Sequence, residues 1–288
     1  PSAQGLENRL MERRIQGSRR QNPQESRTKN GMTGPRKSFF HNRKHGLGFI
    51  AAAFFLLLLS PPGAGAATFA VKKAEYDGVL ILFLDKQNDA RRQPMKADAF
   101  FAKIKRALGI LDRQAPRIYR KIEALYGRAI IMFDPDYLKD RLDEVGLAKF
   151  RPRTGLEEYD STPNKLYVTV MGRYVDKYSD REIAATLTHE LVGHGQQHRE
   201  NRLYAMRGLD RECEARLLQM EAFQALKFDK MSEEMVAYRK ILEQKYCRGF
   251  KKYTRRRLPI LNKSWNRKNL PTMDLLAAFK DYLKSESR

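Results

Sequence analysis

The chain has 288 residues, 42% of them hydrophobic, with 15 Phe and 13 Tyr, so it holds enough apolar material for a packed core and is not disordered throughout. With 56 Lys+Arg against 34 Asp+Glu, its formal charge is +22, which directs attention to anionic partners. Its 2 cysteines exclude a disulfide-framework miniprotein and a four-cysteine zinc module.

The first part of the chain reads as an address. Residues 1–31 are polar and rich in Arg, Gln and Asn, and are expected to be disordered or to lie upstream of a start at Met32. After Met32 come Arg36, Lys37, Arg43 and Lys44, the apolar run Gly46–Leu59, then Pro61-Pro62 and small residues in an A-x-A arrangement at Ala64 and Ala66. Basic region, short apolar region and small-residue site together predict a secretory signal peptide over 32–67. The run falls short of the ~20 residues of a comfortable membrane span; an uncleaved N-terminal membrane anchor is the alternative. Residues 68–288 then make a single mature domain, with 45 Lys+Arg against 31 Asp+Glu, or +14. Such a protein, periplasmic or secreted, is expected to meet an anionic envelope surface. Nucleic acid is not expected, since no zinc-finger or RNP-type motif is present. A solvated basic face without a partner is the plainer reading of the same charge.

Gly78–Asp85 (GVLILFLD) is a short aliphatic run and predicts a buried strand. Apolar spacing predicts helices over 97–110 and 115–127. Arg128–Phe133 (RAIIMF) reads as a strand ended by Asp134-Pro135. Residues 135–164 are polar and turn-rich, and are expected to form a long loop with a helical turn. Leu166–Met171 (LYVTVM) is β-branched and aromatic, bounded by Pro163-Asn164 and Gly172, and predicts a strand. Ser179-Asp180-Arg181-Glu182 fits a capping box that opens a helix running to about Arg199. Further helices are expected over about 211–228 and 232–247, with a basic stretch at 251–257 and a last amphipathic helix near 272–284. This order predicts an α+β fold, a small sheet from the first half packed on a helical second half.

All the histidines beyond residue 67, His189, His194 and His198, fall in THELVGHGQQH. Histidine is the commonest metal-binding side chain. The usual zinc helix carries H-E-x-x-H, with both rings on one face and Glu as general base. Here the spacing is one residue longer. In an ideal helix five positions leave the two rings about 140° apart, too far to share an ion. A single-turn π-bulge absorbs one residue and restores the common face, and Gly193 is the residue best able to tolerate it.

HELVGH resembles the H-E-x-x-G-H signature of the dipeptidyl peptidase III family of zinc peptidases. In that family both His bind zinc across the inserted residue, and a Glu immediately before a Cys, with Ala three positions on, is the third ligand. Arg211-Glu212-Cys213-Glu214-Ala215 has that form, which is also similar to the third-ligand helix of other Glu-zincins. The resemblance covers about 35 residues. It implies a zincin-like fold with a Zn2+ site of His189, His194 and Glu212, with Glu190 as base; dipeptidyl activity does not follow from it. Glu214 is the rival third ligand. A His194/His198 pair is a rival metal pair without an adjacent carboxylate; otherwise His198, like Glu214 if it is not a ligand, is expected to touch a ligand or the substrate, or His198 is simply a surface residue. Tyr204, Tyr238 and Tyr246 are candidate transition-state donors, and Leu166–Met171 is a candidate strand for extended substrate.

The helices over 211–228 and 232–247 are joined near Asp229–Met231. Folded back antiparallel, they bring Cys213 and Cys247 level, each 17 residues from Lys230, which predicts a disulfide in an exported protein; two free thiols are the alternative. The expected function is an exported zinc metallopeptidase, a hydrolase acting on peptide or protein substrate. The alternative is a non-catalytic, degenerate zincin, a basic envelope protein binding an anionic surface or a partner protein.

Overall fold

The computed structural model describes residues 70–85, 95–137, 147–267 and 269–286. The segment 1–31 and the predicted signal peptide 32–67 lie outside the described residues.

β1 (Ala70–Tyr76) and β2 (Val79–Asp85) form a hairpin across Asp77-Gly78, whose φ angles are 46° and 71°. An Asp-Gly pair suits a two-residue turn with both residues at positive φ. β3 (Ala129–Phe133), β4 (Ala148–Arg151) and β5 (Tyr167–Met171) complete a five-stranded sheet in the order β1-β2-β3-β5-β4. β2, β3 and β5 are parallel, and the two edge strands β1 and β4 are antiparallel to their neighbours. The central strands are covered on both faces. Ile81, Phe83, Ile131, Phe133 and Tyr167 belong to the main core with the helices, while Leu82, Ile130, Met132, Val168 and Val170 form a second cluster. Side chains alternate between faces along a strand, so a strand buried on both sides is apolar at every position. That is why these three segments read as unbroken apolar runs.

Two strands depart from the sequence expectation. The stretch 135–164 is not only loop: besides the helical turn Glu157–Asp160 it contains β4. β4 has the sequence AKFR, with Phe150 its one buried residue, so no alternating pattern announces it. β1 is likewise half-exposed and forms because β2 offers it a ladder.

Between β2 and β3 the chain crosses over through α1 (Ala97–Gln114) and α2 (Pro116–Glu123). α1 turns Phe100, Ile104, Leu108 and Leu111 into the main core, the stripe expected of a surface helix. After β5, α3 (Asp180–Leu187) opens on the capping box: Ser179 Oγ accepts from the Glu182 N–H, and the Ser179 N–H donates to Glu182 Oε2 at 2.7 Å. Arg106 of α1 ties down this first turn, 2.6 Å from Asp180. The helix continues without a break as a π-helical segment, Thr188–His194, and then α4 (Gly195–Arg199). α5 (Gly208–Ala225) packs along that segment. α6 (Glu233–Ile241), a π-helical Leu242–Tyr246, α7 (Arg248–Arg257) and α8 (Thr272–Glu286) follow. Cys213 and Cys247 form a disulfide, their Cα atoms 4.9 Å apart, linking α5 to the start of α7. Among the described residues no helix is long and apolar enough to cross a membrane.

Candidate metal centre

The π-helical segment decides where the imidazoles point. It spans THELVGH, and all seven residues are buried. The wider turn absorbs the surplus residue, and the His189 and His194 rings lie 4.8 Å apart, edge to face. Both meet one carboxylate from α5: His189 Nε2 is 3.5 Å from Glu212 Oε2, and His194 Nε2 is 3.4 Å from Glu212 Oε1. These separations are longer than the ~2.7–2.9 Å of a charge-assisted hydrogen bond. They match the edge of a tetrahedron with bonds of ~2.0–2.1 Å, which is about 3.3–3.4 Å.

Gly193 has a different task from the one expected. It is absent from the positive-φ residues, so the π-turn does not need its conformational freedom. What it supplies is space: a Cβ there would lie 2.6 Å from Ala215 Cβ and 2.8 Å from Ala215 Cα. Gly193 and Ala215 are the contact at which α5 touches the π-helical segment, and that contact brings Glu212 to the imidazoles.

Glu190, also buried, lies beside the cluster. Its Oε2 accepts from the Phe150 N–H of edge strand β4 at 2.6 Å, and its Oε1 is 4.0 Å from His189 Nε2. His189, Glu190 and His194 have ligand atoms within 4.8 Å of one another, so this trio could hold a metal ion by itself. Glu212 is nonetheless the better placed carboxylate, because it reaches both imidazoles whereas Glu190 approaches one and has an oxygen committed to Phe150.

A chain of hydrogen bonds sets the His194 tautomer. Gln197 Nε2 donates to Arg211 O at 2.9 Å and to Glu214 Oε2 at 3.0 Å, which leaves Gln197 Oε1 to accept from His194 Nδ1 at 2.9 Å. In the neutral ring the proton then sits on Nδ1, which leaves the Nε2 lone pair for an ion on the Glu212 side. Glu214 is held in turn by both terminal nitrogens of Arg202, at 2.9 and 3.0 Å. Two positions along a helix lie about 200° apart, so Glu214, the rival ligand, faces away from the imidazoles and anchors Gln197 instead. His189 Nδ1 is buried without a hydrogen-bond partner among the described residues.

Burial raises the Glu212 carboxyl, but the adjoining imidazoles of His189 and His194 outweigh it and hold it far below the usual carboxylate range. Burial lowers His189, with the nearby Glu212 carboxylate only partly opposing it. Burial also works to lower His194, yet Glu212 and Glu190 overcome it and the net direction is upward.

The other predicted residues fall around this centre. His198 packs its ring against Phe150 and Tyr167, at 5.7 and 5.5 Å, and is not among the clustered ligand atoms. Tyr204 is exposed. The Tyr238 hydroxyl bonds Gln219 Oε1 at 2.8 Å, and Tyr246 stacks under the Arg216 guanidinium at 4.2 Å. β5 cannot receive an extended peptide, because β3 and β4 occupy both of its edges; among the described strands β1 and β4 are the edges, and β4 is the one beside Glu190. Gln197 and Arg216 were not predicted. Arg216 sits one turn beyond Glu212, 3.7 Å from its carboxylate, and its Nε is buried without a hydrogen-bond partner. The i+3 step from His194 to Gln197 and the i+4 step from Glu212 to Arg216 were the available signals.

No protein-family model matches the chain, and no curated protein or solved structure matches it.

Proposed function

We propose that this chain is an exported zinc-dependent metallopeptidase of zincin-like architecture. The observation that carries the reading is the meeting of His189 and His194 Nε2 on the Glu212 carboxylate, at 3.5 and 3.4 Å, with Glu190 alongside. Two imidazoles and a carboxylate are a zinc donor set, and three protein donors leave a fourth position for water or substrate. His189, His194 and Glu212 would hold the ion. When bound, zinc supplies Lewis acidity, polarising a substrate carbonyl and making water acidic enough to attack near neutral pH.

The remaining work belongs to this chain's own groups. Glu190 is the general base: Phe150 fixes Oε2, and Oε1 takes a proton from the attacking water and returns it to the leaving amine. Gln197 keeps the His194 lone pair on Nε2. Export rests on the basic-apolar-small pattern of residues 32–67 and agrees with a disulfide, which persists in oxidising compartments.

Metal analysis and one substitution test the reading. The purified chain should carry about one zinc. Glu190→Gln should keep the zinc and lose peptide hydrolysis. A chain free of zinc after purification in its presence, or a Glu190→Gln variant as active as the parent, overturns the assignment.

A further inference from the structure

Among the described residues, a dense run of unpaired positive charge lies on α7, RGFKKYTRRR. One side of this helix is spoken for. Phe250 and Thr254 are fully buried, and Phe250 packs on Trp265, Phe279 and Tyr282. The outward faces are cationic. Arg248, Lys251, Lys252 and Arg255, spaced i, i+3, i+4, i+7, line one cleft with Glu243; Lys252, Arg256 and Arg257 line the next one round the helix with Glu286, which pairs with Arg207 at 2.9 Å. Lys251 is neutralised by Glu243 at 2.6 Å. Arg248, Lys252, Arg255, Arg256 and Arg257 are exposed and have no acidic partner among the described residues. In the short helical turn that follows, Pro259–Asn262, Asn262 lines the first of these clefts and Ile260 is 82% exposed.

Like charges crowded on one helix repel, and at physiological ionic strength the Debye length of about 8 Å does not separate neighbours on adjacent turns. Such a face is relieved by a surface of negative charge. The bare aliphatic chain of Ile260 narrows the choice. A phosphate backbone offers it nothing, whereas a bilayer offers headgroup phosphates to the cations and acyl chain to the isoleucine. We infer that α7 and Ile260 form a docking face for an anionic phospholipid bilayer. Cys247, which precedes α7, is disulfide-bonded to Cys213, the residue after Glu212, so this face and the candidate metal centre share one rigid frame. The inference does not depend on peptidase activity.

Cosedimentation with vesicles tests it, using the full chain. Vesicles of phosphatidylcholine mixed with phosphatidylglycerol should bind more protein than phosphatidylcholine alone, and the excess should fall with added salt. The triple variant R255Q/R256Q/R257Q should weaken binding to the anionic vesicles on the order of 100-fold, at ~1 kcal/mol per cation near the surface. The control R113Q/R117Q/R120Q, which removes three exposed cations from α1 and α2, should leave it within about twofold. Ile260→Ser should weaken binding by about tenfold, the worth of one buried aliphatic side chain. Every variant carries Gly46–Leu59, so any contribution of that run is common to all. Equal losses in the two triple variants would show that net charge, not α7, drives binding. Release by millimolar inorganic phosphate would mark a site for free phosphate. Tight binding to duplex DNA, insensitive to Ile260→Ser, would mark a nucleic-acid surface. Each of these three results overturns the inference, and the Ile260 and salt arms stand even if a triple variant fails to fold.

Discussion

Gly193→Ala probes the contact on which the candidate centre depends. The added methyl would stand 2.6 Å from Ala215 Cβ and 2.8 Å from Ala215 Cα. Non-bonded carbons rest ~3.5–4.0 Å apart, so the two helices must part by roughly 1 Å. Ala215 lies three residues after Glu212 on the same helix, so the carboxylate moves with it. Separations of 3.5 and 3.4 Å between Glu212 and the imidazoles would open to about 4 Å or more, wider than a tetrahedral edge of ~3.3–3.4 Å. Overpacking of this kind costs about 1–3 kcal/mol, or roughly 2–12 °C of melting temperature for a domain of this size. Zinc affinity should fall by at least about tenfold, the range seen when support around a metal ligand is lost. Competition against a chromophoric chelator measures the affinity, and calorimetry of the metal-free protein measures the stability. Ala215→Gly added to Gly193→Ala removes the 2.6 Å clash but leaves Cα at 2.8 Å, so it should restore affinity only in part. A Gly193→Ala protein with parental affinity and parental melting temperature would refute the close-approach argument.

Gln197→Leu takes away the acceptor of His194 Nδ1 while keeping the side-chain volume; zinc affinity should drop 10–100-fold, roughly, and chelator competition showing no change would remove Gln197 from the site. Zinc binding near pH 6.5 should release protons, because the neighbouring carboxylates raise His194 and the metal needs the neutral ring; calorimetry in buffers of different ionisation enthalpy reads this, and zero release contradicts it. The sign is fixed: a raised imidazole stays protonated to higher pH, so release should grow as pH falls towards the ordinary value and shrink above the raised one. Cys213→Ala/Cys247→Ala opens a loop of sequence separation 34 and should cost about 3–4 kcal/mol by chain entropy, visible in urea unfolding; a loss below about 1 kcal/mol would mean the bond constrains little.

The residues of the candidate centre were legible because their chemistry is rare and local. Three histidines within ten residues, a carboxylate next to the first and a Glu-Cys pair downstream leave few other readings. The disulfide was legible because antiparallel helices turn sequence distance from a turn into spatial register. β1 and β4 were hidden because each is half-exposed and exists through pairing, which no local pattern encodes. Gly193 was noticed for the wrong reason: its position in the motif drew attention to helix distortion, whereas its hydrogen side chain answers to Ala215, a residue more than twenty positions away.

The same distinction separates Glu212 from Glu214. On the sequence both are acids of one helix, two places apart, and nothing in their identity ranks them. What ranks them is which one a cation hydrogen-bonds: Arg202 claims Glu214 with two hydrogen bonds, and Gln197 adds a third. Glu212 keeps its oxygens for the imidazoles, with Arg216 at 3.7 Å as the nearest cation. A buried carboxylate takes the partner its helix face allows, so Arg202→Ala should release Glu214 and slacken Gln197 without touching a ligand. If zinc affinity then falls by a factor similar to that of Gln197→Leu, and the double variant falls no further, the Arg202–Glu214–Gln197–His194 chain acts as one unit; additive losses would show that the two residues work separately.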